Sequence, residues 1–131
     1  MTDRERAATV RVADGDELVD VMRVLDGAVL ELDAETVEAG LGTDSVLVAE
    51  RGGHVVGALV RDDDHVEAVA VRRQHRAEGI GGALVRDALS RTGHLTAEFD
   101  PRVREFYESL GFEIRERNGR LWGEKRNRAR D

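Results

Sequence analysis

Residues 66–84, VEAVAVRRQHRAEGIGGAL, constrain the chain more than any other stretch. An apolar run passes through a basic loop carrying Arg72, Arg73 and Arg76, then through Gly79, Gly81 and Gly82. It continues as a helical pattern in which Ile80, Leu84 and Ala88, with Val85 and Leu89, share one side. Strand, glycine turn and helix in that order leave backbone N–H groups unpaired at the positive end of a helix dipole. Without side chains in the way, an anion can approach that main chain closely. A ligand bearing a pyrophosphate suits such a place.

Three meanings of the glycines compete. A P-loop needs Lys and Ser or Thr after its second glycine, but Gly82 and Ala83 follow Gly81, so that pattern fails. The dinucleotide fingerprint comes nearer, because Glu98 lies about 20 residues beyond Gly79, where a ribose-binding acid stands. Leu84 replaces its third glycine, however, and the preceding strand belongs to a meander. The glycines alone are equally served by a plain tight turn.

The rest of the chain supplies the frame. Residues 9–13 alternate as a strand, and Asp14 with Glu17 reads as an Asp variant of a capping box. It opens a helix striped by Leu18, Val21, Met22, Leu25, Val29 and Leu32. A second short helix is expected from Asp33 to Gly40. Strand patterns at 45–50, 55–61 and 66–71, separated by Gly52-Gly53 and Asp62-Asp63-Asp64, predict an antiparallel meander. After the glycine-headed helix come a strand at 95–99 and a helix opened by Asp100 and Pro101 and closed by Gly111. A hairpin of 112–117 with 120–124 then turns at Asn118-Gly119. The order is β-α-α-β-β-β-α-β-α-β-β, a mixed α/β (α+β) class. All 131 residues are expected in one domain, with residues 1–7 and 126–131 as loose ends.

Charge narrows the partners. Asp and Glu number 27 against 20 Lys and Arg, a net charge of −7, which argues against a nucleic-acid or membrane-surface partner. Lys125 is the only lysine, and there is no cysteine, so disulfides, thiolate metal sites and a cysteine nucleophile are excluded. His54, His65, His75 and His94 lack metal-ligand spacing, and no metal is expected. With no apolar run of membrane length and a charged N-terminus, a cytoplasmic protein is expected.

Arg76-Ala77-Glu78-Gly79-Ile80-Gly81 resembles the Gln/Arg-x-x-Gly-x-Gly/Ala motif of the GNAT N-acetyltransferase superfamily, in its usual place after an apolar strand. A second block, Phe106-Tyr107-Glu108-Ser109-Leu110-Gly111-Phe112, lies at the family's distance downstream, and the element order is similar too. The resemblance implies a GNAT-like sheet, mostly antiparallel, flanked by helices. It also implies acetyl-CoA as cosubstrate, a small-molecule or peptide amine as acceptor, and a homodimer as a common assembly. By the same resemblance the pyrophosphate falls to the main chain of Arg76, Ala77, Glu78, Gly79, Ile80, Gly81 and Gly82. The pantetheine arm falls to the strand at Val69, Ala70 and Val71. Ala77 and Glu78 depart from the family's frequent Gly and Arg, and Arg73 from a common proline.

Acetyl transfer to an amine needs a neutral amine, a stabilised oxyanion and a proton for the departing thiolate. Tyr107 occupies the family's general-acid position, although it also falls within the apolar stripe of Val103, Phe106 and Leu110. A phenol of pKa about 10 stays protonated at neutral pH and can donate to a thiolate whose acid has a pKa of about 8.5. His65 and Glu67, two apart in one strand, share a face. His65 aligns where many relatives carry a glutamate base, and Glu67 lies one repeat closer to the glycine loop. Either could relay the amine's proton through water, or be a solvated strand residue, and Glu98 is a third candidate. The same fold without an effective base would be a catalytically weak acyl-CoA-binding module.

Overall fold

The computed structural model describes residues 8–27 and 32–127. Seven strands form one sheet in the order β1-β2-β3-β4-β5-β7-β6. They are β1 Thr9–Val12, β2 Val46–Arg51, β3 His54–Asp62, β4 His65–Val71, β5 His94–Phe99, β6 Glu113–Arg117 and β7 Arg120–Arg126. Every pairing is antiparallel except β4 with β5. Four helices flank the sheet: α1 Leu18–Gly27, α2 Ala34–Gly40, α3 Ile80–Thr92 and α4 Arg104–Ser109. Single 3₁₀ turns at Arg73–His75 and Pro101–Val103 precede α3 and α4. This is the expected mixed, mostly antiparallel class.

Period-two alternation sorts the strand residues onto two faces. Val46, Val48, Ala58, Val60, Ala68 and Ala70 pack under α1 and α2. Leu47, Leu59 and Leu95 pack with Leu84, Val85 and Leu89 of α3 and with Tyr107 of α4. Each fully buried Leu or Val contributes about 1.5–3 kcal/mol, so the sheet is held from both sides.

Local signals act as the sequence suggests, with corrections. Asp33 caps α2 by accepting from the Thr36 N–H at 2.8 Å. Asn118 and Gly119 both have positive φ, as a type I′ turn requires. At the head of α1 the reciprocal half of the capping box forms: the Glu17 carboxylate accepts from the Asp14 N–H at 2.8 Å while Arg11 grips both its oxygens. The helix starts at Leu18. Val29, expected in its stripe, lies outside the described residues, as do residues 1–7 and 128–131. Arg126, expected in a loose tail, is instead the last residue of β7, and the Asn127 N–H donates to the Gly93 carbonyl at 2.8 Å. Pairing of β7 along the whole of β5 carries the strand that far.

The seam between β4 and β5 positions the site. Only His65 with Thr96 and Val66 with Ala97 are paired, supported by the Thr96 N–H donating to Asp64 O at 2.8 Å. A side-chain clasp closes this end. His94, at the start of β5, bonds Asp64 of the β3–β4 turn through Nδ1 at 2.7 Å and Glu124 of β7 through Nε2 at 2.6 Å. The two carboxylates lie on opposite edges of the ring, so the clasp ties β5 to β7 and to the β3–β4 turn, and the acids do not converge on one ion.

Protonated His94 donates to both acids, which raises its pKa above the ordinary 6.5, with Glu124 the larger cause, and holds Glu124 below its ordinary 4.5. Arg126 opposes the rise, while Arg115 adds to the depression at Glu124. The His94 contribution is therefore complete below pH 6.5 and lost as pH rises through the raised value. The Glu124 contribution is complete above 4.5 and lost as pH falls. Urea midpoints measured at about pH 5.5 and about pH 8.5 are expected to differ less in His94→Gln than in the parent. An unchanged difference would show that the clasp adds nothing to stability.

Candidate active site

Beyond the Val66–Ala97 rung β4 and β5 diverge, leaving a cleft of about 1030 Å³. Residues 66–71 of β4 form one wall, residues 79–82 the head, and Glu98, Phe99, Phe106 and Tyr107 the far side.

The head is an uncapped helix. Gly79 takes φ +82°, no side chain caps it, and the first helical bond runs from Ala83 N–H to Gly79 O at 3.0 Å. The N–H groups of Ile80, Gly81 and Gly82 have no partner among the described residues. They point along the positive end of the thirteen-residue α3. Arg76 Nε ties back to the Val71 carbonyl at 3.1 Å, pinning the loop to the strand end. The Glu78 side chain turns away from the cleft to pair with Arg51 and, at 3.4 Å, with His75. Its charge is thereby neutralised outside the anion site.

Ala77 adopts φ +66°, a left-handed conformation that costs a residue with a Cβ about 1–2 kcal/mol. Part of that is offset by the smaller unfolded-state freedom of alanine. Ala77→Gly is therefore expected to stabilise the chain by about 0.5–1 kcal/mol, roughly 3 °C in Tm by thermal melting. A lower Tm would show that the loop does not strain Ala77.

Hydrogen-bond alternation decides which β4 peptides face the cleft. The Arg72 N–H donates to Val56 O at 2.8 Å, so the rungs of Ala70 with Ala58 and Ala68 with Val60 also point to β3. Those of Val69 and Val71 then point to the open side. Val69 keeps both groups for a ligand, whereas the Val71 carbonyl is taken by Arg76. Ala70, expected to bind alongside them, borders the cleft but spends its peptide on β3.

Tyr107 is 6% exposed, stacked on Phe99 at 4.1 Å and met edge-on by Phe106 at 4.9 Å and Phe112 at 5.1 Å. Core packing and cleft lining, which the sequence left as alternatives, hold together here. Its hydroxyl has no protein partner among the described residues, yet it is not among the sealed, unpartnered atoms; it opens to the cleft. Burial pushes its pKa up to about 12, so the proton stays on at neutral pH.

The acid–base candidates separate. Glu67 is exposed, lines the cleft and has no ion pair among the described residues. His65 does not line it: Nδ1 bonds Thr96 Oγ1 at 2.8 Å and the ring stacks on Trp122 at 5.4 Å, which holds it at the closed end of the seam. Glu98 lines the cleft but is paired with Arg120 at 2.8 Å. Asp100 caps the turn before α4 through the Arg102 N–H. Arg120 and Phe106 were not singled out from sequence. Arg120 reaches the site only through the β5–β7 pairing, for which no local pattern exists. Phe106 had a visible signal in its place beside Tyr107.

A family model described as acetyltransferase (GNAT) domain matches residues 42–114, more than half of the chain. The chain belongs to the GNAT acetyltransferase family. The match runs from just before β2 into β6 and so contains β4, the glycine loop, α3 and Tyr107 of this GNAT domain. No curated protein matches it in sequence. Among solved structures the GNAT chain is similar to Ard1 from Thermoplasma volcanium, at 19% identity and TM-score 0.76, covering 94% of this chain and 99% of that one. It is also similar to the ribosomal-protein-S18-alanine N-acetyltransferase from Escherichia coli, at 16% identity and TM-score 0.74, covering 95% and 97%. A third is the diaminobutyrate acetyltransferase EctA from Paenibacillus lautus, solved with L-2,4-diaminobutyric acid and coenzyme A. There identity is 16% and TM-score 0.73, covering 96% and 98%. At these identities the likeness is one of fold. Among the described residues no helix is long and apolar enough to cross a membrane.

Proposed function

We propose that this chain moves acetyl from acetyl-CoA to a primary amine, by direct attack in a ternary complex in the cytoplasm. The observation that carries this reading is the uncapped N-terminus of α3 opening into the same cleft as the unpartnered Tyr107 hydroxyl. The N–H groups of Ile80, Gly81 and Gly82 fit a pyrophosphate, and the outward carbonyl of Val69 fits an amide N–H of a pantetheine arm. Acetyl-CoA supplies the activated acyl group. In this reading the Val69 N–H meets developing negative charge on the carbonyl oxygen, Tyr107 protonates the departing sulfur, and Glu67 takes the amine's proton through water. The acceptors of the similar structures, an alanine of a ribosomal protein and diaminobutyric acid, support an amine here.

A second reading rests on the bases. With His65 held by Thr96 and Trp122 and Glu98 paired with Arg120, Glu67 alone is left to serve, which favours a catalytically weak acyl-CoA-binding module. Calorimetry with acetyl-CoA, CoA and NAD, followed by a thiol-release screen over polyamines, amino acids, aminoglycosides and peptide N-termini, distinguishes the two. Acetyl-CoA is expected to bind and NAD not to. With the best acceptor, Glu67→Gln is expected to lower kcat by about 10²-fold at unchanged CoA affinity. Binding of NAD without CoA would overturn the proposal, while binding of acetyl-CoA with no thiol release from any amine would select the module.

A further inference from the structure

A second groove, of about 480 Å³, lies between the start of α1, the β2–β3 turn and the loop after β4. His75 lines both this groove and the cleft, so the two meet across one side chain. Val55 and Val56 contribute its apolar lining, and around them stand Arg23, Arg51 and Arg72 with His54 and His75. Two acids share the lining, Glu17 and Asp20. Glu17 is held at both oxygens by Arg11 at 2.8 Å, and Arg51 is matched by Glu78.

Two guanidinium groups remain. Arg72 donates Nε to the Val55 carbonyl at 3.1 Å, which fixes the group beside the apolar lining and leaves its terminal NH₂ groups without a partner among the described residues. Arg23, one helical turn beyond Asp20, has no ion pair among them either. Against Asp20, the groove holds a surplus of fork-shaped donors with two imidazoles, in a chain whose net charge is −7. A guanidinium fork matches phosphate oxygens two at a time. A phosphate monoester has oxygens enough for two forks, where one carboxylate satisfies one.

We infer that this groove binds a phosphate monoester. One source is the 3′-phosphate of CoA reaching past His75, which rests on the cleft's being the CoA site; the other is a separate small phosphate ester, which does not.

Calorimetry on the full chain compares CoA with 3′-dephospho-CoA, and inorganic phosphate is titrated into the free and the CoA-saturated protein. Arg23→Gln and Arg72→Gln are the test variants, Arg23 being exposed on α1 and outside the fold's hydrogen bonding among the described residues. Arg73→Gln, which lines neither cavity, is the control. If the monoester is the cosubstrate's own, CoA binds about tenfold tighter than 3′-dephospho-CoA. That gap then closes in Arg23→Gln and Arg72→Gln but not in Arg73→Gln. If it is a separate ester, the two coenzymes bind alike, and inorganic phosphate binds the CoA-saturated parent but not the test variants. Equal coenzyme affinities with no phosphate binding, or a gap or phosphate affinity untouched by both test variants, overturns the inference. Should neither coenzyme bind, the cleft reading fails separately, and phosphate binding to the free protein, lost or kept in Arg23→Gln, decides the groove.

Discussion

Tyr107→Phe is expected to lower kcat by about 10²–10³-fold while leaving CoA affinity within about twofold. The substitution removes one oxygen from a ring gripped on three sides by Phe99, Phe106 and Phe112. No hydrogen bond of the fold is lost, because the hydroxyl has no protein partner among the described residues. Stability should therefore move by less than about 0.5 kcal/mol, so lost activity cannot be blamed on unfolding. The pH profile carries a second readout. A phenol held near 12 keeps its proton through the whole working range, so activity in the parent should not fall from deprotonation of Tyr107 below about pH 11. Unchanged turnover in the variant removes Tyr107 from the acid role.

The second large effect is expected from Gly81→Asp, with CoA affinity falling at least about 100-fold by calorimetry. Two causes contribute, and they can be separated. A Cβ at residue 81 would stand 3.1 Å from Phe106 Cε1, so any side chain must displace the ring somewhat. A carboxylate adds negative charge beside the free N–H groups at the head of α3, where the ligand's phosphates would lie. Gly81→Ala carries only the first cause and is expected to lose about tenfold or less. Equal affinities for the alanine and aspartate variants would mean that no anion binds at this helix head.

What was legible in the sequence is local in origin. Gly79 ahead of an apolar helix stripe, Asn118-Gly119 between two strands, and Asp33 before α2 each act through their own φ or a bond to a residue within three positions. The glycine-headed helix and its strand were therefore readable, and with them most of the cleft wall. The bases were not. His65 and Glu67 share a face by period, but Thr96 and Trp122, which hold His65 aside, arrive through the β4–β5 and β5–β7 pairings. The same holds for Glu98, whose partner Arg120 lies 22 residues on, and for Glu78, drawn off by Arg51 from across the sheet. The second groove gathers side chains from three separate segments, none of which carries a pattern of its own.

The two-rung seam also sets how the molecule yields. Strands β1–β4 are joined along nearly their full lengths, as are β5, β7 and β6, but between these two blocks the ladder has only two residue pairs, backed by the His94 clasp, the contacts of His65 with Thr96 and Trp122, and the shared packing of α3. Partial opening should start there, with backbone amides beside the seam exchanging with solvent sooner than those inside either block. A ligand lying against Val69 would take the place of the absent neighbouring strand, so its binding energy would double as the glue between blocks. At a hundred times its dissociation constant that adds about 2.7 kcal/mol against opening. If the cosubstrate binds there as proposed, amide protection along β4 and β5 measures its affinity from inside the protein.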